Sequence, residues 1–141
     1  MVKGAYVLII ELREDRDVRV GALGVLKFKR GWYAYVGSAL NNLEARIERH
    51  LRKRKRKHWH IDYFLEVCRV RKIVYTLTEK RVECLIAKGL SERFDCVERF
   101  GCSDCNCRSH LFFSKCLRDL FEGIVKVFEE LGLEWRSIDV E

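Results

Sequence analysis

The residue types with the most evident chemical use lie between Trp32 and Ile61, where the aromatic segment Trp32-Tyr33-Ala34-Tyr35-Val36 breaks at Gly37-Ser38 and leads into a cation-bearing helix. Arg46 and His50 stand four positions apart on that helix and therefore share a face. A strand that breaks at glycine and feeds such a helix suggests a site that faces phosphate. The same region concentrates positive charge, with eight Arg and Lys against the single acid Glu48 between Arg46 and Lys57. Six of these, Arg52-Lys53-Arg54-Lys55-Arg56-Lys57, are consecutive. In a bare helix they would repel one another, so an anionic partner is a natural reason for them, and a solvated loop is the plainer alternative. Arg49 and Arg52 are expected to point to solvent. His58 and His60, on either side of Trp59, could contact phosphate or base, or pack with Asp62.

A second group of chemically useful residues is Cys102-x2-Cys105-x-Cys107-x2-His110. These four ligands, soft or borderline, could meet the tetrahedral demand of Zn²⁺, and free thiols or a disulfide would use the same residues. Seven cysteines is an odd number and argues against a closed disulfide framework. Cys68, Cys84, Cys96 and Cys116 sit in apolar segments and are expected in the core.

The elements that must position these residues follow from periodicity. Gly4 to Leu12 is apolar on both faces, Tyr6, Leu8, Ile10 and Leu12 on one and Ala5, Val7 and Ile9 on the other, which predicts a central strand covered on both sides. Val18 to Phe28 is strand-like but interrupted at Gly21 and Gly24. Arg30-Gly31 reads as a hairpin turn, so Tyr6 and Tyr35 should meet in one antiparallel meander. Leu40, Leu43, Ile47 and Leu51 recur at helical spacing within Asn41 to Arg54, which places Arg46 and His50 on the shoulder of the apolar stripe. A short helix is expected within His58 to Leu65 and a strand over Arg71 to Thr78. Thr78 should cap a helix from about Glu79 to Lys88 that stops at Gly89. Phe94 to Phe100 should be extended and Leu111 to Phe113 a short strand, and an amphipathic helix runs from Leu117 to Gly132. With 141 residues, and neither repeats nor low-complexity linkers, one α/β (α+β) domain over residues 1–141 is the economical reading.

Composition limits the classes of function. Hydrophobic content of 48% with 35% charged residues is globular, and the net charge of +7 favours an anionic partner. No apolar run approaches the roughly 20 residues that span a bilayer, so no membrane partner and a cytoplasmic location are expected. The absence of Gln and abundance of ion-pairing residues suggest a thermophilic source, a picture the absence of Pro does not fit.

Taken together, Gly4-Ala5-Tyr6, Tyr35-Val36-Gly37, Arg46, His50 and Glu83 in Glu83-Cys84-Leu85-Ile86 resemble the motifs of the GIY-YIG nuclease superfamily. The fuller runs Tyr35-Val36-Gly37-Ser38-Ala39-Leu40, His58-Trp59-His60-Ile61-Asp62 and Cys102-Ser103-Asp104-Cys105 look like one functionally unassigned prokaryotic branch, some members of which are fused to DNA base-repair enzymes. The superfamily core would cover about residues 4–89, with the cysteine-rich loop and final helix, 101–132, as an extension. Tyr6 and Tyr35 are 29 positions apart, longer than the family's usual connection, so Val18 to Phe28 looks inserted. The interval from Tyr35 to Arg46 is also one residue longer than usual.

The resemblance implies a small, mainly antiparallel sheet of three to four strands flanked by helices. It also implies a divalent-metal-dependent endonuclease hydrolysing DNA phosphodiester bonds, in DNA repair. Glu83 would hold one Mg²⁺ or Mn²⁺. Arg46 would stabilise charge on the phosphate, and Tyr6 would position or deprotonate the attacking water with help from Tyr35 or His50. Arg49, Arg52, Lys53, Arg54, Lys55, Arg56, Lys57, His58 and His60 would contact DNA or another nucleic acid. Two other readings stand beside this one: a nucleic-acid-binding module that does not cleave, and a zinc- or redox-responsive interaction domain centred on Cys102 to His110. The sequence is silent on oligomeric state.

Overall fold

A computed structural model describes residues 2–102 and 105–141. Met1, Ser103 and Asp104 lie outside the described residues, and with them the middle of the Cys102–Cys105 run. Strand β1 (Gly4–Leu12) is the central element and is apolar on both faces, as its alternation requires. The chain leaves the main sheet to form a separate two-stranded ribbon, β2 (Arg16–Arg19) with β3 (Val25–Phe28), joined through a 3₁₀ turn at Gly21–Leu23. It returns as β4 (Gly31–Ala39), antiparallel to β1. The long Tyr6–Tyr35 connection is therefore an insertion that leaves the β1–β4 pairing untouched.

Helix α1 (Leu43–Leu51) follows, capped by the Asn42 side chain, which accepts from the Ala45 N–H at 3.0 Å. Next come the short α2 (His60–Phe64), β5 (Arg69–Leu77) and α3 (Glu83–Ser91). The two-residue β6 (Asp95–Cys96), β7 (Leu111–Ser114), α4 (Leu117–Glu130) and β8 (Arg136–Asp139) complete the chain.

Among the described residues the fold is α+β, an antiparallel sheet in the order β6-β7-β4-β1-β5-β8 with a two-stranded ribbon and four helices. Six strands replace the three to four expected. The additions are edge strands with little apolar signal: β6 is two residues long, and every residue of β8 is exposed. Tyr6, Leu8 and Ile10 face α1, α2 and the ribbon in one core, with Ile47, Phe64 and Phe28 among their neighbours. Ala5, Val7 and Ile9 face α3 and α4 in a second core with Ile86, Leu90, Ile124 and Phe128. Among the described residues no helix is long and apolar enough to cross a membrane.

Two helix boundaries differ from expectation. Helix α1 is shorter than Asn41 to Arg54, and the end positions of its apolar stripe, Leu40 and Leu51, are exposed. The helix after β5 starts at Glu83 because the Thr78 hydroxyl accepts from the Lys80 N–H and closes a local turn instead of capping a helix. That helix also continues through Gly89. There a Cβ would stand 2.8 Å from Val127 Cγ1 and 3.0 Å from Val127 Cγ2, so glycine is what lets α3 and α4 approach. In an open helix Gly→Ala gains about 1 kcal/mol of propensity. Here Gly89→Ala should instead lower stability by about 1–2 kcal/mol, because the stiff valine cannot swing away. Denaturant melts of Gly89→Ala, Val127→Ala and the double variant check this, with the double variant recovering stability relative to the simple sum.

Candidate active site

The site begins at the register of β1 on β4, where Tyr6 lies directly opposite Gly37. A Cβ at Gly37 would overlap the Tyr6 hydroxyl and ring, so the Tyr6 side chain lies across the neighbouring strand through the space that glycine leaves. The Tyr6 Oη meets His50 Nε2 of α1 at 2.6 Å. His50 is 2% exposed, inside the helix–sheet interface and not on the shoulder that periodicity gives it. Burial, then the nearby Lys55 ammonium, lower its pKa to about 3, so the ring is neutral at ordinary pH. Burial raises the Tyr6 phenol well above the usual tyrosine value, and Arg46 opposes that shift. Tyr35 is likewise raised by burial. Both phenols are therefore protonated hydroxyls.

Tyr6, Tyr35, Arg46 and Glu83 line one cleft of about 580 Å³ together with Ser38, His58, Trp59, His60, Arg81 and His110. Glu83 is the first residue of α3, and it lines this cleft from the start of that helix. The Arg46 guanidinium donates to the Ser38 carbonyl at 2.8 Å and lies over the Trp59 ring at 4.6 Å. No carboxylate among the described residues pairs with it, which leaves its charge to the cleft. With Arg81 it places two guanidinium groups in the cleft against Glu83, the one carboxylate that lines it among the described residues, a balance suited to an anion. Glu83 offers the open cleft a hard oxygen donor, the kind of ligand that Mg²⁺ or Mn²⁺ takes.

The basic segment is less free than its composition suggests. Arg49 does not point to solvent: it forms a two-pronged pair with Asp62, both contacts at 2.9 Å, and its guanidinium lies over the Trp59 ring at 4.2 Å from the centroid. The Asp62 side chain is fully buried and also accepts from the His58 and Trp59 N–H groups. Burial disfavours the carboxylate, but Arg49 and those two N–H groups outweigh it and hold its pKa at about 2. Lys55 donates to the Arg49 and His50 carbonyls and closes the C-terminal end of α1. Lys57 pairs with Glu66 at 3.0 Å. His60 Nδ1 accepts from the Gly101 N–H at 2.8 Å, so His60 holds the later loop as well as lining the cleft. Arg52, Lys53, Arg54 and Arg56 remain exposed, and none of their side chains is in an ion pair among the described residues.

The thiol cluster differs in membership from the expected set. Cys84, Cys105, Cys107 and His110 have ligand atoms within 4.8 Å of one another and could hold a metal such as zinc. Cys102 is not among them; its thiol faces the Phe100 carbonyl at 3.4 Å, and the fourth place is filled by Cys84 from α3. Cys84 is exposed and not a core residue, as is Cys116, while Cys68 and Cys96 are half-buried. Burial and the neighbouring Cys84 and Cys105 push the Cys107 thiol up. Three residues of this region escape sequence reasoning: Arg81, Cys84 as a ligand, and Trp59 as the ring under Arg46 and Arg49. Only the nearness of Arg81 and Cys84 to Glu83 in the chain hinted at the first two.

The depressed His50 value makes a pH prediction. The unfolded chain takes up the histidine proton near the ordinary value of 6.5 and the folded chain only near 3, so the unfolded state binds more protons between them. Stability contributed by the neutral ring is complete above pH 6.5 and is lost as pH falls, by up to about 1.4 kcal/mol per pH unit. Thermal melts from pH 7 to pH 4 should show this slope in the wild type and a shallower one in His50→Gln.

No curated protein and no solved structure matches this chain. A protein family does, from β1 through the end of α4: residues 5–133 match the family described as "Domain of unknown function DUF123", and the chain belongs to that family.

Proposed function

We propose that the protein is a divalent-metal-dependent endonuclease of the GIY-YIG type, hydrolysing phosphodiester bonds in DNA. The observation that carries this reading is that Tyr6, Tyr35, Arg46 and Glu83, which are far apart in the chain, line one cationic cleft. They are also the residues on which the resemblance to that superfamily rests.

Each side chain has a role that its surroundings support. Arg46, braced by the Ser38 carbonyl and Trp59, presents a preorganised cation to the phosphate as charge builds in the transition state. Tyr6 is protonated and its hydroxyl hydrogen-bonds with His50 Nε2; in the tautomer in which Nε2 accepts, the phenolic oxygen keeps its lone pairs for an attacking water. Tyr6 thus orients the nucleophile, and the neutral His50 holds Tyr6 in place; this favours positioning over deprotonation by a free phenolate. Tyr35 supplies a second protonated hydroxyl at the cleft wall. Glu83 would hold Mg²⁺ or Mn²⁺, which supplies Lewis-acid stabilisation of the leaving 3′-oxygen when bound. Arg52, Lys53, Arg54 and Arg56 form the exposed cationic surface that would track the nucleic-acid backbone, while Arg49, Lys55 and Lys57 serve the protein's own structure.

Incubation with Mn²⁺ or Mg²⁺ and supercoiled, branched or single-stranded DNA should produce nicks. Glu83→Ala and Arg46→Ala should each slow nicking by about 10²–10³-fold while leaving the far-UV spectrum unchanged. A wild type that binds DNA without nicking, or a Glu83→Ala variant that nicks equally well, ends the catalytic reading in favour of a binding module.

Neutralising Arg52, Lys53, Arg54 and Arg56 together should weaken DNA binding at low salt. It should also flatten the log–log salt dependence by roughly 3–4, the slope expected for about four phosphate contacts. Fluorescence anisotropy at several salt concentrations measures both. Unchanged affinity and slope would show these side chains to be merely solvated.

A further inference from the structure

We infer that Cys84, Cys105, Cys107 and His110 bind one Zn²⁺ as a closed structural site, and that this ion positions Glu83 in the cleft. The donor set is three sulfurs and one nitrogen, a combination that selects zinc over hard cations. Around a tetrahedral zinc, with bonds of about 2.0–2.3 Å, donor atoms stand roughly 3.3–3.8 Å apart. The four donor atoms lie within 4.8 Å of one another, and the Cys105 Sγ to His110 Nε2 distance is 3.4 Å, so small side-chain rotations complete the site.

An independent feature points the same way. His110 is 4% exposed, and its Nδ1 is 3.0 Å from the Val36 carbonyl. A carbonyl only accepts, so Nδ1 donates to it, and Nε2 is the ring nitrogen turned to the cysteines. Two backbone bonds fix the residue further: the Val36 N–H donates to the His110 carbonyl at 2.9 Å, and the His110 N–H donates to the Phe100 carbonyl at 2.8 Å. The histidine is thus fastened to β4 beside Gly37 with its free nitrogen aimed at three thiols. Four protein ligands leave no open position, which makes the site structural and not catalytic. Binding releases the three thiol protons and leaves a complex of net charge −1.

What the ion would hold follows from where Cys84 stands. Cys84 is in the first turn of α3, next to Glu83, and the Val82 position before that turn provides no side-chain cap. Zinc would tie this turn to the 105–107 segment and, through His110, to β4. The Glu83 carboxylate would then keep a set distance from Tyr6 and Arg46 across the sheet. This positional half rests on the nuclease reading; the zinc site itself does not.

The full chain, purified under reducing conditions with zinc and then desalted, should contain one zinc per chain by elemental analysis. Co²⁺ substitution should give the intense visible bands of tetrahedral cobalt together with thiolate charge transfer. Cys84→Ser and Cys107→Ser should lose the metal, Cys102→Ser and Cys116→Ser should keep it, and His110→Cys should keep it with a shifted cobalt spectrum. Glu83→Ala should retain full zinc while losing nicking. Cys84→Ser should slow nicking by about 10–100-fold, the cost of a loosened ligand shell. A metal-free wild type, a disulfide among these cysteines in the reduced preparation, or zinc lost in Cys102→Ser but kept in Cys84→Ser overturns the site. Full zinc and unaltered nicking in Cys84→Ser overturns it equally, and full zinc with no nicking in the wild type removes only the nuclease reading.

Discussion

The contact on which this molecule turns is the Tyr6 ring laid across Gly37. It needs β1 and β4 paired in a register that sets these two residues opposite each other, and it needs the absence of a side chain on β4. The reward is a phenol carried across β4 to a histidine that α1 has buried. Three elements are tied at one point, and the same point is the floor of the cleft. A methyl group at position 37 would displace the tyrosine from both roles together, because core packing and site geometry use the same atoms.

Charge in this chain does more internal work than its sequence advertises. The buried Asp62 is tolerated because Arg49 approaches with two N–H groups and the α2 entry supplies two more. That same Arg49 and the cleft residue Arg46 both lie against Trp59. The cleft arginine is thereby braced by an aromatic ring whose own position depends on an ion pair behind it. Lys55 is consumed at the end of α1, where helix carbonyls lack intrahelical partners. What remains for an outside anion is a smaller and better-defined set of cations on one exposed stretch.

The first turn of α3 sets two kinds of metal-binding side chain next to each other. Glu83 offers oxygen to a hard cation and Cys84 offers sulfur to a soft one, and the two side chains leave the backbone one residue apart. Both side chains line the same cleft, Glu83 together with Arg46 and the tyrosines, and Cys84 where it meets Cys105, Cys107 and His110.

Periodicity alone determined much of the frame. A strand apolar on both faces must lie in the middle of a sheet covered on both sides, and Gly4 to Leu12 does. The stripe from Leu117 marked α4, whereas the strand-like Val18 to Phe28, broken at Gly21 and Gly24, pairs with its own neighbour in a separate ribbon and does not form the expected hairpin with β4 across Arg30-Gly31. Motif order placed Tyr6, Tyr35, Arg46 and Glu83 in one set without saying that they share a cleft. Tertiary structure alone decided the rest, because those outcomes depend on what each side chain meets. His50 is on the helix shoulder by spacing but buried by the arrival of Tyr6. Arg49 is a surface cation by composition but half of an ion pair once Asp62 is beneath it. Cys84 is apolar by its neighbours yet stands with Cys105, Cys107 and His110, since a helix start and a distant loop meet only in the folded chain. Edge strands β6 and β8 are held by backbone hydrogen bonds to neighbours that no local pattern names.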